Sequence, residues 1–440
     1  MNRCLWQVLR SACPGDRMIP RGRSRLVLAM WLLTLCAVPF WLQINAGVAF
    51  PPTAIAFAFV LPTILRIKGK SLRGPDYFLV VFVGLSAMAV VLAHSPGAAF
   101  GAVIVQWTTA YLVGRYLAPA AGKDWTYQAI SYATAFVAAW ACLEYALDLH
   151  VFMNFPGTTN AGNWAAIQYR GAHARSEGAF GHAIALGGFI AMGFPFVMVA
   201  KIRTPVRALI LALLSFGMVT SLSRGPLIGA VVTVLVAVVS LPTVSMTARR
   251  RVWLGISIGI GAAIAAPRVL GVFAAISPTE LEPSADYRTH LFQSVLHDLN
   301  ILGPSEGLYQ DASGQFAYRS FRSIDNAYAL IGLQFGWLPL LLLASGLVLC
   351  AWQVLRRRGG PADVALIGQT VTLAFVALIT QYGAAVWLLV GMAVAFRSRR
   401  GQDASLPDAV ETLGVPLSDR QGGWRQPSSR GRSDIPSDAP

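Results

Sequence analysis

Charge is scarce in this chain. Acidic and basic side chains together make up 12% of its 440 residues, against 55% apolar, about half the charge of a soluble globular domain. That scarcity excludes a water-soluble fold. Cysteine is scarce as well. Cys4 and Cys13 lie in a basic N-terminal segment, and Cys36, Cys142 and Cys350 lie within apolar runs. None falls in a long polar loop, which leaves no basis for a disulfide framework or a cysteine-built metal site. The alternating pattern of an outer-membrane barrel is missing, because the apolar runs are continuous and too long for tilted strands. There is no internal repeat of the kind that marks an inverted-repeat transporter.

What the chain has instead is a succession of apolar stretches, each of roughly twenty residues, the length of a membrane-spanning helix. They fall at 26–43, 47–65, 77–93, 99–117, 128–147, 183–200, 208–222, 226–241, 253–273, 327–352, 363–380 and 383–396. The predicted fold class is an all-α polytopic membrane protein of about twelve transmembrane helices. The formal charge is +15, yet the basic residues are scattered between apolar segments, which argues against nucleic-acid binding and for an orientation signal. Arg21, Arg23 and Arg25 precede the first span. Further clusters sit at Arg66 to Arg73, Lys123, Lys201 to Arg207, Arg249 to Arg251, Arg356 to Arg358 and Arg397 to Arg400. With about twelve spans every cluster falls on one side, so both termini are predicted to be cytoplasmic in a bacterial inner membrane. The first span has no convincing small-residue cleavage site and reads as an uncleaved helix.

The domain reading is then a cytoplasmic segment 1–25, a membrane domain 26–396, and a polar tail 397–440 rich in Gly, Ser, Pro, Asp and Arg, expected to be disordered. Two sizeable loops, 148–182 and 274–326, face outward. The second joins helices nine and ten in that count. Within it, 285–299 has helical periodicity: Tyr287, Leu291, Val295, Leu296 and Leu299 share one face, and His290, Gln293 and His297 the other. The expectation is an amphipathic helix on the outer membrane surface. Its histidines lack a third ligand at metal spacing, so no zinc site is predicted.

Arginine, but no lysine, is found on the outward side: Arg170, Arg175, Arg224, Arg268, Arg288, Arg319 and Arg322. A planar guanidinium suits bidentate binding of phosphate. The alternative for each is pairing with a loop acid (Glu280, Glu282, Asp286, Glu306 or Asp311) or with lipid headgroups. Arg224 stands apart, since it occupies a short turn between two apolar helices, where a charge is costly and usually functional. His182, after Gly181 at the entrance to a span, reads either as a capping histidine or as a hydrogen-bonding partner for sugar or phosphate. Asp325 opens another span, where aspartate can cap the helix or, partly buried, act as a general base. Glu177 has the same duality, and Glu144 reads as a partner for an arginine.

These pieces, taken in order, resemble the O-antigen ligase and polymerase family of integral membrane glycosyltransferases, including exopolysaccharide repeat polymerases. The matching strings are Arg175-Ser176-Glu177-Gly178-Ala179-Phe180-Gly181-His182 before a helix and Ser221-Leu222-Ser223-Arg224-Gly225-Pro226 at an outer turn. A long outward loop follows, from Tyr287 and Arg288 through Leu302 and Gly303 to Asp325, Asn326, Tyr328 and Gly336. The resemblance covers roughly 170 to 345. It implies a GT-C-like helical fold and a transfer needing no metal or other cofactor. A glycan on undecaprenyl diphosphate would move to an acceptor glycan or lipid at the periplasmic face, beside polysaccharide assembly or export proteins. Arg224 and Arg288 would stabilise the departing diphosphate, and Asp325 would stand in the catalytic set. Arg175, Glu177, His182, Asn326 and Tyr328 would bind substrate. Ligases of the family carry histidine where this chain has Asp325, which favours the polymerase branch over the ligase. The base is left open between Asp325, Glu177 and a histidine of the amphipathic helix. A transporter or flippase of lipid-linked glycan, and a non-catalytic assembly partner, are the competing readings. Ionisable residues deep in several spans would mark the transporter.

Overall fold

The computed structural model describes residues 21–403, apart from 47, 68–69, 71, 73, 156–165, 171–172, 242–248, 250–280, 312–314 and 322. At 281–286, 288 and 398–403 it describes the backbone alone. The predicted span 253–273, Arg268, Arg322 and the tail from 404 onward therefore lie outside the described residues. The chain divides into Met1–Ser398 and Arg399–Pro440, and the first unit carries the fold described below.

That unit is built of helices. In chain order they are α1 Arg21–Ala37, α2 Pro52–Leu65, α3 Asp76–Ala93, α4 Gly97–Ala121 and α5 Lys123–Leu147. Then come α6 Ala183–Val199, α7 Thr204–Thr220, α8 Arg224–Ser240 and α9 Leu281–Asp298. The last four are α10 Ala327–Phe335, α11 Trp337–Leu355, α12 Pro361–Thr372 and α13 Thr380–Asp403. Prolines Pro52, Pro205 and Pro361 stand in the first turn of their helices, where a missing N–H costs nothing. Among the described residues α3, α4, α5 and α11 are long and apolar enough to cross a membrane, and α2, α6, α7 and α8 are shorter apolar helices. The outward faces of α3 and α11 carry exposed Val80, Val91, Leu92, Leu341, Val348 and Leu355. Such a surface fits association with a membrane.

Two predicted spans take a different form. The run 327–352 is not one helix but two, broken at Gly336. Its φ is +93°, and a Cβ there would stand 2.7 Å from the Asn300 carbonyl oxygen and 2.9 Å from that of Ile301. Only glycine allows the chain to turn while pressed against that backbone. The run 363–380 ends its helix at Thr372, and the residues beyond form turns before α13.

The core centres on α6, which carries no charge and is buried over nearly its whole length, between α5, α7, α8 and α12. The outer loop has a core of its own. Leu291 and Val295 of α9 pack against Tyr318, Ile324, Ala329 and Leu333, beside the antiparallel hairpin Leu308–Gln310 with Phe316–Tyr318. The amphipathic helix is thus present, but its Leu291 and Val295 face is covered by protein rather than left for a membrane surface. A buried apolar stripe finds its partner in the loop itself.

Sequence reading also missed two buried ion pairs. Arg115 holds Asp76 through Nε and Nη2 at 2.8 and 2.9 Å, with the Tyr111 hydroxyl also donating to Asp76 at 2.5 Å. Arg397 holds Asp363 through Nε at 2.8 Å, and Asp363 accepts from the Gly360 amide at 2.8 Å. Buried charges persist only when paired and hydrogen-bonded in this way.

Candidate functional site

The site begins with a strap, residues 168–182, that enters α6. Its anchors are buried. Ser176 donates through its hydroxyl to the Ala141 carbonyl of α5 at 2.7 Å and through its amide to the Thr220 carbonyl at 3.2 Å. The Glu144 carboxylate of α5 accepts from the amides of Glu177 and Gly178 at 3.0 and 2.9 Å. Gln381 of α13 donates to the Ala179 carbonyl at 2.9 Å. Glu144, expected to partner an arginine, therefore shapes the backbone turn instead.

Held this way, the strap presents Arg175 at one end and His182 at the other. Arg175 reaches across to the turn before α8. Its Nε donates to the Ser221 carbonyl at 3.1 Å, its Nη2 to Ser223 Oγ at 2.5 Å, and its Nη1 to Gln168 Oε1 at 3.3 Å. Arg170 donates to the Leu222 carbonyl at 2.5 Å, and Leu222 itself sits at φ +46°. Two arginines thus donate to successive carbonyls of this turn. It delivers Arg224 as the first residue of α8, followed by Gly225, whose missing Cβ would lie 2.6 Å from the side chain of Phe375.

Asp325 arrives from the other side. The sequence allowed it to cap the following helix, but Asn326 takes that role, accepting from the amides of Tyr328 and Ala329 at 2.9 and 3.0 Å. The Asp325 carboxylate is thereby released from capping and accepts from Ser323 Oγ at 2.8 Å. The start of α10 is pinned to the end of α12: the Ala327 amide donates to the Leu373 carbonyl at 2.8 Å and the Tyr328 hydroxyl to the Thr370 carbonyl at 2.9 Å. Tyr287 of α9 donates to the Ser323 carbonyl at 2.7 Å.

These segments enclose a cavity of about 370 Å³, lined by Gln168, Tyr169, Arg170, Arg175, His182, Ile184, Ser223, Arg224, Gly225, Asp325 and Phe375. Five of the residues singled out in the sequence, Arg170, Arg175, His182, Arg224 and Asp325, meet there from separate parts of the chain. Among the described lining residues three arginines accompany one carboxylate, a set of net positive charge suited to an anionic ligand.

Other sequence-predicted residues lie elsewhere. Glu177 is fully buried beside the cavity rather than in its wall. Its Oε1 accepts from the Gln168 amide at 2.8 Å, and its Oε2 has no hydrogen-bond partner. Burial raises its carboxyl pKa to about 7, with Arg175 opposing. Asn326 and Tyr328 secure α10 and do not line the cavity. Arg288 belongs to α9, with its side chain outside the described residues. His290 is exposed on α9, and Arg319 pairs with Asp298. Gln168, Tyr169 and Phe375 were not foreseen. No group of three metal-ligating side chains occurs among the described residues.

Fold and site thus define a helical protein with membrane-length apolar helices and an arginine-walled cavity at the joined ends of α6, α7, α8, α10 and α12. The chain matches no family model and no curated protein.

Proposed function

We propose that this protein is a membrane glycosyltransferase that polymerises or transfers undecaprenyl-diphosphate-linked oligosaccharide repeat units at the periplasmic face during exopolysaccharide or O-antigen synthesis. The observation that carries the reading is the convergence of Arg170, Arg175 and Arg224 with His182 and Asp325 on one cavity. A diphosphate leaving group needs fixed positive charge where its negative charge grows, and arginine forks supply it without reorganisation. An acceptor hydroxyl needs a proton acceptor at hydrogen-bond reach, and the same wall holds two candidates.

The reading includes the finer fold assignment: about twelve spans with both termini cytoplasmic, a GT-C-like arrangement and periplasmic loops 148–182 and 274–326. It is supported by the fact that the helix ends forming the cavity are those the basic clusters assign to the outer side. It favours repeat polymerisation over ligation because Asp325 stands where ligases of the resembled family carry histidine. A flippase would need its charged site along the helix middles, whereas this cavity lies at helix ends.

The test is genetic and chemical. Cells carrying Arg224→Ala in place of the wild-type protein, at equal membrane abundance, should lose surface polymer and accumulate lipid-linked repeat units. Normal polymer from that variant would remove the assignment.

A further inference from the structure

We infer that His182 and Asp325 act as a pair, His182 taking the proton of the acceptor hydroxyl and Asp325 stabilising the imidazolium that results. This rests on the transferase reading and assigns the base within it. Geometry selects the pair. His182 occupies the cap position of α6, but its side chain makes no capping bond. Its Nδ1 is buried with no hydrogen-bond partner, and the residue lines the cavity. Nδ1 is sealed from the cavity, so the ring meets it through Nε2, which is neither buried nor hydrogen-bonded among the described residues. Asp325 faces the same cavity, freed by Asn326 from capping.

The other candidates fall away by position. Glu177 lies beneath the wall, with one oxygen committed to the Gln168 amide. His290 and His297 are on the exposed side of α9 and do not line the cavity. Among the described residues the charged groups that share the cavity wall with His182 are Asp325 from the loop end, Arg170 and Arg175 from the strap and Arg224 from α8, with Tyr169 the remaining titratable group there. Burial lowers the His182 pKa from its ordinary value, with Asp325 raising it and Arg175 adding to the fall. At neutral pH the imidazole is uncharged and able to accept.

In the step, the acceptor oxygen forms a bond to the anomeric carbon of the donor as the bond from that carbon to the diphosphate oxygen breaks. That bond's electron pair leaves with the diphosphate, against Arg224. The acceptor's proton passes to His182 and then to solvent.

The test uses the full-length protein in proteoliposomes, with lipid-linked repeat units extracted from cells that lack it. His182→Ala should lower turnover by about 100-fold or more while the donor still binds, and imidazole added to the buffer should restore part of the rate. His182→Gln should be equally slow. In Asp325→Asn the acid limb of the rate profile should move to lower pH, because the group that raises the His182 pKa is gone. Turnover of His182→Ala within about threefold of wild type overturns the pair and leaves the diphosphate site standing. Loss that imidazole does not relieve, with donor bound normally, also overturns it. No turnover in the wild-type protein overturns both.

Discussion

Arg175 and Ser223 are joined at 2.5 Å, Nη2 to Oγ, across 48 residues of sequence. The bond ties the strap before α6 to the turn before α8, and with the Arg175 bond to the Ser221 carbonyl it sets one wall of the cavity. Lysine has the charge but not the fork. Arg175→Lys should therefore cost about 1.5–3 kcal/mol of stability, read as a lower unfolding midpoint in detergent. Transfer activity should fall although the charge is kept.

Glu177 gives the fold a pH dependence whose sign is fixed. Its folded pKa is about 7, raised by burial from 4.5, so between those values the folded protein holds a proton that the unfolded chain has lost. The Glu177 contribution to stability should fall as pH rises through that window, by about 3 kcal/mol. Glu177→Gln keeps an acceptor for the Gln168 amide and removes the titration. Relative to wild type its unfolding midpoint should rise between pH 5 and 8, and it should exceed wild type at pH 8, because the variant keeps the opposing titration of His182 and loses only that of Glu177. An identical pH dependence of the wild-type and Glu177→Gln midpoints would contradict the burial argument.

Asn326 and Asp325 are neighbours with separable roles. Asn326→Ala removes two capping bonds and should cost about 1 kcal/mol, measured by thermal unfolding. Asp325→Asn should change stability by less than about 0.5 kcal/mol yet strongly reduce transfer.

Gly225 and Phe375 form a contact that a methyl group would break. Gly225→Ala should destabilise by about 1–3 kcal/mol through overpacking. Adding Phe375→Ala should recover part of the loss, a coupling that a double-mutant cycle measures directly. Additive effects would mean the two sites do not touch.

Much of this was legible in the sequence. Apolar runs of membrane length located most helices, and a charged residue in a four-residue turn drew attention to Arg224. Other features were hidden because they depend on tertiary contact. In the apolar run 327–352 a signal of the break was present but unread, since Gly336 with Pro339 marks a helix boundary; what stayed hidden is that the Asn300 and Ile301 carbonyls press against Gly336. The choice between Asp325 and Asn326 as cap cannot be made from composition, as both residue types suit the position. Glu177 read as a ligand because its burial within the strap, where its carboxylate meets the Gln168 amide and its own amide meets Glu144, depends on tertiary contact. For Asp76 with Arg115 and Asp363 with Arg397 a signal did exist: each is a charge at or within an apolar run, and such charges seek partners.

The most direct test of the account is binding of radiolabelled undecaprenyl diphosphate to the purified protein in detergent. Wild type should bind it, Arg224→Ala and Arg170→Ala should each weaken binding by about 10-fold or more, and undecaprenyl monophosphate should compete poorly. Equal binding by wild type and Arg224→Ala, or none by wild type, would contradict the claim that these arginines form a diphosphate site.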